Sequence, residues 1–151
     1  MPVVLAAERP DAPDARALID ELEAHLASFY PRESRHGYSV DKLLARGVAF
    51  FVLRAEEVPA ACGGIELFGA EYGELKRMYV RPQFRGRGFA KQMLDRLSGH
   101  ARDHRVNLLR LETGIHQMEA IGLYERAGFV RVPPFGDYRE DPLSLFYERR
   151  I

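Results

Sequence analysis

The chain is short of cysteine, of net charge and of long apolar runs, and each shortage closes off a class of protein. Cys62 is the single cysteine among 151 residues. No internal disulfide can form, and a lone thiol suits a reducing compartment. It lies in the small-residue run Ala60 to Ile65, which reads as strand. With no activating partner beside it, a buried structural thiol is expected rather than a nucleophile. Lys plus Arg number 22 and Asp plus Glu number 22, a formal net charge of zero. No global field therefore argues for nucleic acid or an anionic membrane as a partner. No apolar stretch approaches the roughly 20 residues of a spanning helix. The N-terminal segment lacks the apolar region of a signal peptide, so the cytoplasm is the expected location. Internal repeats, low-complexity tracts and long linkers are also missing.

What remains is an ordinary globular composition, with length enough for one domain over residues 1–151 and a buried core. Residues 2–7 read as a short first strand. Asp14 is placed to cap a helix whose apolar positions Leu18, Leu22, Leu26 and Phe29 step by four and three, with Pro31 ending it. A second short helix is expected over 39–44. Residues 48–53, 60–67 and 73–80 form an antiparallel meander, with a turn at 56–59. A helix beginning at residue 89 carries the stripe Ala90, Met93, Leu94, Leu97 and Ala101. A Leu-rich strand over 107–111 follows, then a helix over 118–127 stopped by Gly128. Two strands, 129–132 and 143–148, flank a Pro/Gly-rich loop. The order β-α-α-β-β-β-α-β-α-β-β predicts an α/β (α+β) fold, a mixed sheet flanked by helices.

The most informative stretch is Glu74 to Lys91. A strand ends at a bend on Pro82, and Gln83 to Gly88 then carries a basic glycine loop into a helix. Gly86 and Gly88 let the backbone turn tightly and approach a ligand with no Cβ in the way. The free N–H groups at the start of the helix make a site for pyrophosphate. Six cations, Lys76, Arg77, Arg81, Arg85, Arg87 and Lys91, lie between residues 76 and 91 with no acid among them. A local basic cluster on a neutral chain fits a small phosphorylated ligand better than a polymer. No Gly-Lys-Ser/Thr follows for a P-loop, and Lys91 stands where a dinucleotide fingerprint needs its third glycine.

A second motif lies about thirty residues downstream, from Leu111 through Gln117, Ala120, Leu123 and Tyr124 to Gly128 and Phe129. Together the two motifs, spanning roughly residues 73–132, resemble the GNAT superfamily of acyl-CoA-dependent N-acetyltransferases. The loop Pro133 to Tyr138, followed by Asp141 to Ser144, is similar to small stand-alone bacterial members. The resemblance implies a mostly antiparallel sheet with a splay between strands 4 and 5. It implies acetyl-CoA as co-substrate and no metal. The strand ending Met78-Tyr79-Val80 would run beside the pantetheine arm. Phe84, Arg85, Gly86, Arg87, Gly88 and Phe89 would cradle the pyrophosphate, and the Met78 amide would face the thioester oxygen. Tyr124 takes the place of the tyrosine that protonates the departing thiolate. Gln117 stands where the family usually has Asn, one methylene shorter.

Attack on a thioester needs a neutral amine, so a carboxylate or an ordered water must accept a proton. Glu74, at the start of the fourth strand, and Glu112, at the end of the fifth, are the two positions where family members keep such a group. Each also has a plain structural reading: Glu74 as an ion pair with a neighbouring cation, Glu112 as a partner of Arg110 or a cap near Gln117. The expected acceptor is a small-molecule amine, entering opposite the cofactor. Acetylation of a protein N-terminus or lysine, a non-catalytic acyl-CoA sensor and a nucleic-acid-binding module are the rivals. A homodimer follows from the resemblance only.

Overall fold

The computed structural model describes residues 2–151. Its strands are β1 (Val3–Ala7), β2 (Ala49–Ala55), β3 (Val58–Phe68), β4 (Tyr72–Val80), β5 (Leu108–Gly114), β6 (Val130–Val132) and β7 (Ser144–Arg150). Its helices are α1 (Pro13–Ala27), α2 (Val40–Ala45), α3 (Phe89–Asp103) and α4 (Met118–Arg126), with single 3₁₀ turns at Arg32–Ser34 and Pro82–Phe84. The element order is the one the sequence predicts, with strand ends displaced by one to three residues. The seven strands form one sheet in the order β1-β2-β3-β4-β5-β7-β6. Every neighbouring pair is antiparallel except β4 and β5.

Period-two alternation in the strands sorts the core into two layers. Leu53, Ala61, Ile65, Leu75, Leu109 and Leu111 meet α3 through Met93, Leu94, Leu97 and Ala101, and α4 through Tyr124. Phe50, Val52 and Cys62 face the other way, onto Ala15, Leu18 and Ile19 of α1 and Val40 and Leu43 of α2. Cys62 is fully buried, its thiol pushed up to about 12 by that burial, as a structural thiol should be.

Two local expectations are corrected. Asp14 does not cap α1: the N-cap is Ala12 with no side-chain bond, and Pro13 opens the helix with its fixed φ. Asp14 lies within the first turn, where its carboxylate accepts from Arg54 Nη2 at 2.9 Å. Phe29 leaves the buried stripe and is 48% exposed, because α1 ends at Ala27 and its periodicity ends there too. Ser39 does cap α2, accepting from the Lys42 N–H at 3.1 Å.

Candidate active site

The sheet opens where β4 and β5 part. Their parallel ladder holds only two registered pairs, Gly73 with Leu109 and Glu74 with Arg110. Past Glu74, β4 keeps its antiparallel partner β3 on one side, while β5 turns to β7. Residues 75–80 therefore present an edge with no strand beside it, a template for an extended ligand. The β3–β4 register slips between Cys62 and Gly64, and Arg77 adopts φ +53 at that bulge. One extra residue breaks the alternation. Lys76 and Arg77 both turn toward the α1 face, where Lys76 Nζ lies 3.8 Å from the Tyr38 ring centroid and Arg77 Nη1 reaches Glu23 on α1 at 2.9 Å. Met78 packs into the opposite layer.

The glycine loop enters α3 as expected. Gly86 and Gly88 have φ +79 and +78, and Gly88 is the N-cap, with no side chain to satisfy the first amides of the helix. A Cβ at either glycine would meet nothing within 4 Å, so their small size serves backbone shape and approach from outside rather than packing. The six cations do not act together, which corrects the reading of that cluster. Lys76 is paired with Glu74 at 2.8 Å inside the fold, and Arg77 and Arg81 are paired with the half-exposed carboxylates Glu23 and Glu21 on α1, the latter at 2.6 Å. Lys91 sits beside Asp95 on the exposed face of α3. Arg85 and Arg87 remain at the loop itself, with Arg85 3.5 Å from Glu119 and Arg87 stacked over Phe84. Phe89 is buried beneath the loop against Phe84.

A cleft of about 120 Å³ lies at the splay, walled by Leu75, Met78, Glu112, Gln117 and Tyr124. Tyr124 enters it from the α4 side. Its ring is buried, and burial first, then the charge of Glu112, holds the phenol above its ordinary range. The hydroxyl stays protonated at neutral pH, a donor; among the described residues no acceptor is hydrogen-bonded to it. Glu112 alternates with Leu111 on β5 and so belongs to the other face of the sheet. Burial pushes its carboxyl up; the Ser144 hydroxyl, donating at 2.8 Å, opposes this, as does His36, while Glu74 adds to the rise. Arg110 pairs with Glu148 instead of Glu112.

Glu74 has a different setting. It is 3% exposed, and its Oε2 accepts from both Lys76 Nζ (2.8 Å) and the Tyr138 hydroxyl (2.6 Å). The loop between β6 and β7 thus closes over β4 through Tyr138, which packs against Phe135 and Phe146. Tyr79 turns its hydroxyl to Glu21, 3.3 Å away, so only its backbone and that of Val80 can serve the open edge.

Gln117 is the N-cap of α4, and its Oε1 accepts from the Tyr30 hydroxyl at 3.0 Å. That hydroxyl in turn accepts from the His116 N–H at 3.0 Å, so Tyr30 pins the entrance of α4 to the end of α1. The ring lies so close to Gly114 that any Cβ there would collide with it. Arg35 and His36 also line the cleft, and sequence reasoning passed over both. Nothing in their spacing marks them, since they arrive from a loop more than seventy residues before Glu112. A larger groove of about 800 Å³ opens elsewhere, between α2, β2 and α3, and contains none of these groups.

A mixed sheet that parts between two parallel strands, with a glycine loop feeding a helix at the same place, defines an acyl-CoA-binding transferase fold. Comparison with known proteins agrees. The acetyltransferase (GNAT) family model matches residues 15–129. The IAA acetyltransferase of Azospirillum brasilense is 38% identical over 150 residues, spanning 99% of this chain and 98% of its own. A crystal structure from Klebsiella pneumoniae, described as a candidate acyl-CoA N-acyltransferase, has a TM-score of 0.84 at 32% identity, over 98% of this chain and 97% of that one. The PaiA N-acetyltransferase of Thermoplasma acidophilum, solved with coenzyme A, shares the fold at 17% identity, with a TM-score of 0.77 over 100% of both chains. The chain belongs to the GNAT family; it is an N-acetyltransferase, and acetyl-CoA is its co-substrate. Among the described residues no group of His, Cys, Asp and Glu is placed to hold a metal ion, and no helix is long and apolar enough to cross a membrane.

Proposed function

We propose that this enzyme acetylates the primary amine of a small molecule by direct attack on the thioester, with Glu112 as general base and Tyr124 as general acid. The observation that carries the reading is that these two side chains reach one narrow cleft from opposite faces of the sheet. The environment of each pushes its pKa up, which suits a base that works near neutrality and an acid that must keep its proton.

In this reading acetyl-CoA lies along the open edge of β4. Its pyrophosphate rests on the backbone of Phe84–Phe89, between Arg85 and Arg87, and Gln117 bounds the arm from the α4 side. Glu112 takes the proton that the amine must lose. The nitrogen lone pair forms the new bond to the carbonyl carbon, and the Met78 N–H receives the oxygen as it becomes negative. The C–S bond breaks, and the departing thiolate takes the Tyr124 proton. Glu74, held by Lys76 and Tyr138, has a structural role in this scheme.

A small acceptor is favoured over a polypeptide because the cleft holds only about 120 Å³. The name of the Azospirillum relative is compatible with a small acceptor. The test is release of free thiol from acetyl-CoA with a panel of small amines, alongside lysine-bearing peptides. Turnover confined to the peptides would refute the small-acceptor reading. Tight acetyl-CoA binding with no turnover on either set would favour a sensor.

A further inference from the structure

We infer that the acceptor carries a carboxylate beside its amine, and that Arg35 and His36 receive it. The inference rests on the reading of the cleft given above and adds the chemical class of its occupant.

The loop from α1 to α2 lays Arg35 and His36 in the wall of the same cleft that holds Glu112 and Tyr124. Two side-chain nitrogens there are buried without a partner, Arg35 Nε and His36 Nε2. A buried donor without an acceptor is costly, and a cationic one more so, so such groups draw a ligand or water oxygen to them. The neighbours do not supply what is missing. Glu23 shares one carboxylate between two guanidinium groups, Arg35 Nη1 at 3.3 Å and Arg77 Nη1 at 2.9 Å, and does not reach Arg35 Nε. Asp141 is an ion-pair neighbour of His36, its Oδ2 3.7 Å from His36 Nε2 and longer than a hydrogen bond, while its Oδ1 accepts from the Leu143 N–H at 2.8 Å.

An incoming carboxylate has two oxygens for these two donors. Guanidinium is well suited to it, since Nε–H and the Nη groups form a planar fork of donors. The position also fits the chemistry. His36 is close enough to draw the Glu112 carboxyl downward, so an anion held at His36 places the rest of a small acceptor against the proposed base. An amino acid or a similar amino carboxylate has both groups within one short molecule. Leu22, Leu26 and Leu75 form an apolar part of the wall that suits an uncharged side chain.

The test compares three sets of acceptors at fixed acetyl-CoA: L-amino acids, their primary amides and the corresponding decarboxylated amines. The intact enzyme is expected to favour the amino acids by at least tenfold in kcat/KM. Arg35→Gln should collapse that ratio toward one, through a raised KM for the amino acids rather than a lowered kcat, and Arg35→Lys should restore part of it. Equal kcat/KM across the three sets in the intact enzyme, which needs no variant to fold, overturns the inference and leaves the small-amine reading standing. So does a preference for amino acids that Arg35→Gln does not change while the acetyl-CoA Kd is retained. No transfer to any member, with acetyl-CoA still bound, removes the small-amine reading and this inference with it.

Discussion

The Ser144 hydroxyl on β7 donates to the Glu112 carboxylate on β5 at 2.8 Å, across the antiparallel pair that continues the sheet beyond the splay. The bond favours the ionised carboxylate against the burial that disfavours it. Replacing Ser144 with Ala removes the favourable contact and leaves the burial. The Glu112 carboxyl should therefore be pushed further up. Because the base must be ionised to act, the acid limb of kcat/KM should move to higher pH in Ser144→Ala. A limb that stays in place would remove Glu112 as the titrating base.

The two glutamates can be separated directly. Glu112→Gln should lower kcat/KM by about 10²-fold or more and abolish the acid limb, in the range usual for loss of a general base. Glu74→Gln should keep the limb. The reverse pattern in full pH profiles would transfer the role to Glu74.

Tyr124→Phe deletes one hydroxyl from a buried ring and leaves the packing of α4 unchanged. kcat should fall by about 10²-fold, while the acetyl-CoA Kd measured by calorimetry stays within about twofold, a small fraction of the 1.4 kcal/mol that a tenfold change requires. Unchanged kcat would show that the thiolate takes its proton elsewhere.

Gly88→Val meets no steric neighbour in the free protein, yet it forces a β-branched residue to φ +78. The free loop can relax away from that conformation and must return to it on binding. At a strain of about 2 kcal/mol, the acetyl-CoA Kd should rise about 30-fold while the thermal midpoint scarcely moves.

Lys76 and Glu74 are a buried pair, each under one-tenth exposed. Lys76→Met leaves the carboxylate uncompensated, a loss of about 3 kcal/mol or more. For a chain of this size that lowers the melting midpoint by roughly 6–12 °C. Adding Glu74→Leu should recover part of it, because a hydrophobic pair can replace a buried ion pair, while the Tyr138 hydroxyl loses its acceptor. Additive losses in the double variant would contradict this account of the pair.

Much of the architecture is legible in the sequence alone. The stripe Met93, Leu94, Leu97 and Ala101 forms the buried face of α3, and Gly128 ends α4 with φ +94, because periodicity and chain termination are local properties. Asp14 misled because a capping residue type does not say whether the helix starts one residue later or two earlier, and Pro13 decided it. The six cations misled for another reason. Charge density along a chain does not show where side chains point, and the bulge at Arg77 turns it and Lys76 together onto the α1 face.

The residues from 74 to 129 determined on their own that this chain binds an acyl carrier, since the glycines, the loop and the Tyr124 helix are contiguous motifs whose chemistry depends on spacing. Only the tertiary structure decided which groups meet in the cleft and what faces them. Glu112 and Ser144 are thirty-two positions apart, and Arg35 and His36 come from the far end of α1. Their meeting depends on strand register and on how α1 crosses the sheet, and these are set by the packing of the whole core.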